Sequence, residues 1–267
     1  YTDLMLTQPK VVIAANDHSP PTVGLFAAAK SIGIKSCYVQ HSPVTERFPP
    51  LRVDLALLYS QKAHDHYKVS AQRTGVALKS KVCLFPPLLD PVRPIKAVQP
   101  PLRICIALSK FVDVAQVEML IADLLQTAQV AKIVISLHPR STQHLQNLEH
   151  DDRVQILPRG TIAQKICDMV DLCLIGNSGV AIEFLHFGCP SFYVPPTDPE
   201  LYDYYAFCAA GVLPVFDMQV ITSPVMITQQ FDAAWLEAIA DFDPAFDTQI
   251  TILRKNVQDE FIQLLTT

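Results

Sequence analysis

Four short polar segments in this chain combine residue types able to handle phosphate and protons. Gly176-Asn177-Ser178-Gly179 pairs two glycines, which let a backbone approach a ligand closely, with two residues of N-cap type. A helix starting near Val180 would offer its free amides to an anion. Glu183 falls on the first turn of that helix, where a carboxylate can accept hydrogen bonds from the two hydroxyls of a ribose. His138-Pro139-Arg140 joins a titratable ring to a guanidinium across a stiff proline, a set that neutralises charge growing on a departing phosphate. Asn16-Asp17-His18-Ser19 and Gln40-His41-Ser42-Pro43 each supply a histidine suited to deprotonating a hydroxyl, and Asp17 could do that work itself or orient the ring. Each segment also has a plainer reading. Ser178 can simply cap, Glu183 complement the helix dipole, His138 close a strand, and Asp17 and His18 cap the helix that follows them.

Three further segments carry weaker signals. Lys110, in Ser109-Lys110, could reach phosphate or belong to a solvated loop. Arg159-Gly160-Thr161 could hold a nucleobase through backbone groups or serve only as a turn. His64-Asp65-His66 has the alternating spacing of a strand-borne metal pair, but its setting is helical and there the two rings diverge, so a solvated face is expected and no metal is assigned. Ser178 is no hydrolase nucleophile, because Gly-Asn-Ser-Gly-Val lacks the Gly-x-Ser-x-Gly spacing.

Short apolar β-rich runs alternate with helical ones along the chain, the pattern of parallel sheets wrapped by helices. In residues 1–97 strands are predicted at Lys10–Ala15, Lys35–Gln40, Leu55–Tyr59 and Lys81–Phe85, with helices at Thr22–Ser31 and Gln61–Thr74. Proline-rich residues from Pro86 to Pro101 cannot hold an inner strand or a regular helix and read as the linker. In residues 98–267 strands are predicted at Leu102–Leu108, Lys132–Leu137, Val154–Leu157, Asp171–Ile175 and Pro190–Val194. Helices there are predicted at Val114–Thr127, Thr142–Leu148, Thr161–Val170, Val180–Phe187, Phe231–Ala240 and Ala245–Leu265. The fold class is therefore α/β with two Rossmann-like lobes, the first of them short. In such sheets ligands bind beyond the carboxyl ends of the strands, where all four polar segments fall.

The chain has 267 residues, half of them hydrophobic, enough for a large core and more than one lobe. No apolar run is long enough to cross a bilayer and no signal-peptide layout opens the chain, so a cytoplasmic protein is expected. The seven cysteines lack zinc-site or disulfide-scaffold spacing and read as buried thiols in a reducing compartment. Up to Ala97 there are 12 Lys and Arg against 6 Asp and Glu; beyond it 9 face 20. A basic first half suits an anionic acceptor or the inner, anionic face of a membrane, and an acidic second half argues against nucleic acid. The chain opens at Tyr1 and enters a strand by Lys10, so a natural N-terminus upstream is expected.

The run from Asp171 to Pro195 resembles the donor-binding segment of GT-B glycosyltransferases and of the related nucleotide-sugar 2-epimerases. Shared elements are a strand opening with Asp, a small polar turn, a helix bearing Glu, then a Gly-x-Pro step into another strand and a proline. That resemblance implies that Gly176, Asn177, Ser178 and Gly179 hold donor phosphates and that Glu183 binds ribose. His138-Pro139-Arg140 resembles the His-Pro motif of bacterial sialyltransferases, Kdo transferases and teichoic-acid glycerophosphotransferases, where the histidine contacts a donor phosphate. Asn16 to Asp54 loosely resembles the acceptor lobe of capsule and teichoic-type transferases, whose histidine after the second strand faces the acceptor. His41 takes that place, followed by Ser42 where those enzymes carry glycine.

The resemblance implies a metal-independent glycosyltransferase without cofactor, moving a sugar from a CMP- or UDP-linked donor to a saccharide or glycolipid acceptor in bacterial surface polysaccharide synthesis. Its donor contacts would come from Lys110, His138, Arg140, Arg159, Gly176 to Gly179 and Glu183, and its catalytic groups from Asp17, His18, His41 and His138. Three alternatives stay open: a nucleotide-sugar 2-epimerase, a glycerophosphotransferase of the same fold, and a non-catalytic nucleotide-binding lobe.

Overall fold

The computed structural model describes residues 2–85, 92–141, 151–197, 203–223, 225–246, 257–263 and 266. Two compact units result, the first made of Tyr1–Leu89 with Ile239–Thr267 and the second of Asp90–Ala238.

The first unit opens with helix α1 (Thr2–Thr7), which the sequence pattern did not signal. Then come β1 (Val11–Ala14), α2 (Pro20–Ser31), β2 (Lys35–Val39), β3 (Leu55–Leu58), α3 (Gln61–Thr74) and β4 (Lys81–Leu84). The four strands pair in parallel in the order β1-β2-β3-β4. Asp54 staples β3 to β2 by accepting the backbone N–H and the hydroxyl of Ser36, both at 2.8 Å. Helix α3 is fixed at both ends: Ser60 Oγ accepts the N–H of Ala63, and Gly75 closes it at φ +65°, a conformation that suits glycine.

Strand alternation divides this sheet into two apolar faces. Val12, Tyr38, Ala56 and Leu58 pack with Phe26, Ala29, Ala63 and Tyr67 from α2 and α3. The opposite face, Cys37, Leu55, Leu57 and Cys83, needs a different cover, because right-handed crossovers that always step the same way leave their helices on one side.

The second unit comprises β5 (Leu102–Ala107), α4 (Val114–Leu125), β6 (Val130–Ser136), β7 (Val154–Ile156), α5 (Ala163–Met169), β8 (Leu172–Ile175), α6 (Val180–His186), β9 (Ser191–Tyr193), α7 (Gln219–Thr222), α8 (Val225–Gln229) and most of α9 (Ala233–Ala240), up to Ala238. Its five parallel strands lie in the order β7-β6-β5-β8-β9. Ile104, Ile106, Ile133, Ile135, Leu172 and Leu174 meet Val117, Ile121 and Leu124 of α4 on one face, and the alternate residues Cys105, Val134, Cys173 and Ile175 are buried on the other. A sheet covered on both sides explains the continuous apolar runs seen in the sequence. Six of the seven cysteines are buried and all seven are free thiols.

The expected division into 1–97 and 98–267 differs from the compact units at two points. The break lies at Leu89/Asp90, and from Ile239 onward the chain returns to the first unit. Helix α10, residues 257–263, supplies the missing cover: Val257 and Phe261 pack against Cys37, Leu55, Leu57 and Cys83, while Lys81 of β4 pairs with Glu260 and donates to Gln263. Closer to the return point, the N–H of Lys62 donates to Asp241 O. The single helix expected over Ala245–Leu265 is not seen as such: Pro244–Phe246 form a 3₁₀ turn and residues 247–256 lie outside the described residues. The helix expected at Thr142–Leu148 and the linker prolines 86, 87 and 91 also lie outside them.

Candidate functional site

All five strands of the second sheet run parallel, so every strand-to-helix turn emerges on one edge. Register aligns the strand ends there, with Ala107 beside Ser136 on one side and Ile175 on the other. Strand order reverses between β5 and β8, which makes the crevice between their loops the switch point where open α/β sheets bind ligands. The loop after β5 carries Ser109 and Lys110, the loop after β8 carries Gly176 to Gly179, and the loop after β6, next along the edge, carries His138 and Arg140.

His138 is half-buried and its neighbours are cationic. Its ring is pushed below the ordinary histidine range by burial first, then by the charges of Arg140 and Lys110. Nδ1 accepts the backbone N–H of Arg140 at 3.0 Å, and Ser141 N–H donates to His138 O at 2.9 Å, so a tight turn holds the ring. With Nδ1 accepting, the neutral ring carries its proton on Nε2 and can donate to a phosphate oxygen without being charged. Lys110 lies 4.7 Å from the ring centre of the exposed Phe111. Lys110 and Arg140 are exposed, so Lys110, which had a solvated loop as its plain reading, is a second cation acting on His138. Arg159 is exposed on the turn after β7, where Thr161 closes back on Pro158 O through its N–H and hydroxyl.

The glycine-containing turn differs from its expected form. Neither Asn177 nor Ser178 caps α6; the N-cap is Gly179, at φ −65° and ψ −17°, without a side-chain cap. Ser178 N–H turns back to Gly176 O at 2.8 Å, which tightens the loop. Asn177 Oδ1 accepts the N–H of Tyr204 at 2.8 Å and so ties the turn to the segment after β9. Glu183 is exposed, yet desolvation lifts its carboxyl above the usual range, with His186 opposing the shift. The exposure decides its accessibility: a ligand hydroxyl can reach it.

Two other parts of the motif have structural duties. Asp171 accepts Arg103 N–H at 2.7 Å and pairs with the Arg103 guanidinium at 2.8 Å, stapling β8 to β5 at the edge opposite the ligand loops. Gly188, at φ +72°, is followed into β9 by Cys189-Pro190, and a Cβ there would collide with Pro94 O. The chain before β5 is laid against this step, with Lys96 N–H bonded to Gly188 O and Lys96 Nζ donating to Cys167 O at 2.8 Å and to Val170 O.

In the first unit the turn after β1 is set by Asn16, whose Oδ1 accepts the N–H groups of His18 and Ser19 at 3.1 and 2.7 Å. Helix α2 starts at Pro20 with Ser19 as N-cap, so Asp17 and His18 are not its caps. Asp17, only 5% exposed in its side chain, uses both oxygens: Oδ1 meets His18 Nδ1 at 2.9 Å and Oδ2 accepts the Tyr67 hydroxyl at 2.5 Å. His18 is 39% exposed in its side chain and rests on Phe48, ring centres 4.6 Å apart. Because a carboxylate only accepts, Nδ1 carries the proton and Nε2 keeps its lone pair.

His41 stands apart from this pair. It is exposed on the turn after β2, whose buried Gln40 accepts Tyr59 N–H and donates to Ser42 O, both at 2.8 Å. Among the described residues no hydrogen bond joins His41 to Asp17 or His18. His64 and His66 are on α3, as the helical reading required, and among the described residues no group of three or more His, Cys, Asp or Glu could hold a metal ion.

No protein-family profile matches the chain, and no curated protein matches it by sequence. Solved structures do match. The UDP-GlcNAc 2-epimerase from Neisseria meningitidis, solved with UDP-GlcNAc, superposes over 98% of this chain and 78% of its own, with TM-score 0.57 and 13% identity. Acinetobacter baumannii MurG matches over 95% and 76%, with TM-score 0.52 and 16% identity. The pneumococcal O-GlcNAc transferase GtfA, solved with UDP and GlcNAc, matches over 99% of this chain, with TM-score 0.54 and 13% identity, but this chain spans only 58% of its length. The fold is GT-B.

Within this GT-B chain, sequence reasoning had named the histidines but not what holds them. Tyr67, Phe48 and Tyr204 were missed. Tyr67 sits in the apolar stripe Ala63, Tyr67, Ser70, Ala71 of α3 and reads as a core position. A buried tyrosine needs a hydrogen-bond partner for its hydroxyl, and that was the available signal. No helix among the described residues is long and apolar enough to cross a membrane.

Proposed function

We propose that this chain is a glycosyltransferase that moves a sugar from a nucleotide-linked donor to a hydroxyl of a saccharide or glycolipid acceptor. The observation that supports it most is that the neighbouring loops after β5 and β6, beside the switch point of the second sheet, bring Lys110, His138 and Arg140 within electrostatic reach of one another. There a neutral Nε2–H, on a ring held by the tight turn at Arg140 and Ser141, and two exposed cations would meet developing phosphate charge. On this reading the backbone of Gly176 to Gly179 takes the diphosphate, Glu183 the ribose hydroxyls, and Arg159-Gly160-Thr161 the base. In the first unit His18 takes the acceptor proton on Nε2, and Asp17 orients it and stabilises the imidazolium. His41, exposed and unconnected to that pair, contacts acceptor rather than carrying the proton. Because the matched epimerase and transferase structures hold UDP-GlcNAc or UDP, a uridine donor is put ahead of a cytidine one. No bound metal or cofactor is assigned. The acceptor belongs to bacterial surface polysaccharide synthesis at the inner face of the membrane.

Calorimetry with UDP, CMP and CDP-glycerol tests donor binding, and NMR of UDP-GlcNAc incubated with and without saccharide acceptors tests the reaction. New glycosidic signals with UDP release support transfer. Conversion to the 2-epimer without acceptor would assign the chain to the epimerases instead. Turnover of CDP-glycerol would make it a glycerophosphotransferase, and nucleotide binding with no turnover a binding lobe.

A further inference from the structure

We propose that Tyr67 is a positioning residue for the His18 base, acting through Asp17; the inference rests on the reading of His18 just given. Asp17 is nearly buried, and a carboxylate in that state needs partners on both oxygens. One partner is the ring it orients, the other the Tyr67 hydroxyl at 2.5 Å, from a residue fifty positions away in the chain. Tyr67 is itself fully buried, so its hydroxyl would be left without this partner were Asp17 to rotate. Tyr38 of β2 lies behind Tyr67, with the two rings edge to face at 6.4 Å.

Both ends of the relay are anchored on rigid parts. Tyr67 is in the middle of α3, whose two ends are capped, and Asp17 is in a turn closed by two hydrogen bonds to Asn16. Phe48, the floor beneath His18, is tied to the same helix by Ser70 Oγ, which donates to Phe48 O. Helix α3 therefore sets the carboxylate and the floor together. Holding Oδ2 fixes the direction in which Oδ1 points, and that direction keeps the His18 proton on Nδ1 and the lone pair on Nε2.

The test is ¹⁵N NMR of the histidine rings in the full chain, which reports the tautomer, with kinetics of UDP release from UDP-GlcNAc as the second readout. Wild type is expected to show His18 as the Nδ1–H tautomer alone; a mixture in wild type would overturn the proposal whatever the variants do. Tyr67→Phe removes only the hydroxyl and is expected to give a tautomer mixture and a kcat about tenfold lower with KM unchanged, the size of one hydrogen bond. Tyr38→Phe leaves the Tyr67–Asp17 bond and should keep the single tautomer. An unchanged tautomer in folded Tyr67→Phe refutes the positioning role. If His18→Gln releases UDP at the wild-type rate, the base reading fails by itself, and the tautomer measurement still decides whether Tyr67 sets the ring.

Discussion

The side-chain carbonyl of Asn177 accepts the backbone N–H of Tyr204 at 2.8 Å and so latches the chain after β9 onto the glycine-containing turn proposed to take the donor diphosphate.

Replacing Asn177 separates the two duties. Asn177→Ala should cost about 1 kcal/mol of stability, the net value of one hydrogen bond, and speed amide exchange at Tyr204. Asn177→Asp keeps an acceptor for Tyr204 but sets a negative charge beside the proposed diphosphate, and should weaken UDP binding by roughly tenfold, the scale of like charges a few ångströms apart in a largely aqueous setting. Equal UDP affinity for wild type and Asn177→Asp in calorimetry would remove the turn from the donor site.

His138 carries a pH signature. Burial, Arg140 and Lys110 all lower it, so the free protein binds its proton only below the ordinary histidine range of about 6.5. A bound diphosphate screens both cations and raises it again. UDP affinity should therefore rise as pH falls through the window between the bound and free values, over and above the titration of UDP itself. Calorimetry of wild type against His138→Gln cancels that background. Parallel pH profiles for the two proteins would show that His138 does not meet the phosphate. The same depressed group makes the folded state favour neutral His138, a contribution present above its ordinary range and lost as pH falls through the lowered value.

Glu183 predicts a conflict between stability and binding. Its carboxyl is raised, so the folded protein favours the protonated form, and the contribution from Glu183 is fullest below the ordinary carboxylate range and lost as pH rises through the raised value. Glu183→Gln should leave thermal stability at neutral pH unchanged or slightly higher. UDP binding should weaken by about 1–3 kcal/mol if a charged contact to ribose is lost. Loss of stability with intact UDP affinity would return Glu183 to the role of a helix-dipole residue.

The C-terminal cover can be tested through Val257. Val257→Ala opens a gap over Cys37, Leu55 and Cys83 and should destabilise the first unit by about 1–2 kcal/mol. Hydrogen exchange should accelerate in β2 to β4 and stay unchanged in β5 to β9. Acceleration in the second sheet would contradict the division of the chain at Ile239.

What the sequence determined by itself was local. Runs such as Leu102–Ala107 and Gln61–Thr74 declare strand and helix through apolar spacing, and the residues just beyond the strands, His18, Lys110, His138 and Gly176, follow from parallel strands placing their turns on one edge. Gly75 and Gly188 stand at turns whose positive φ suits glycine. Only the tertiary structure decided which polar groups meet. Tyr67 reaches Asp17 across fifty residues and Lys110 acts on His138 from another strand's loop, pairings made by sheet register and helix packing and by no short-range spacing. The return of residues 257–263 to the first sheet was equally hidden, because a helix's apolar stripe shows that it must be buried but not against which face. That choice belonged to the one face of β1 to β4 that their own crossover helices leave uncovered, and it moved the unit boundary.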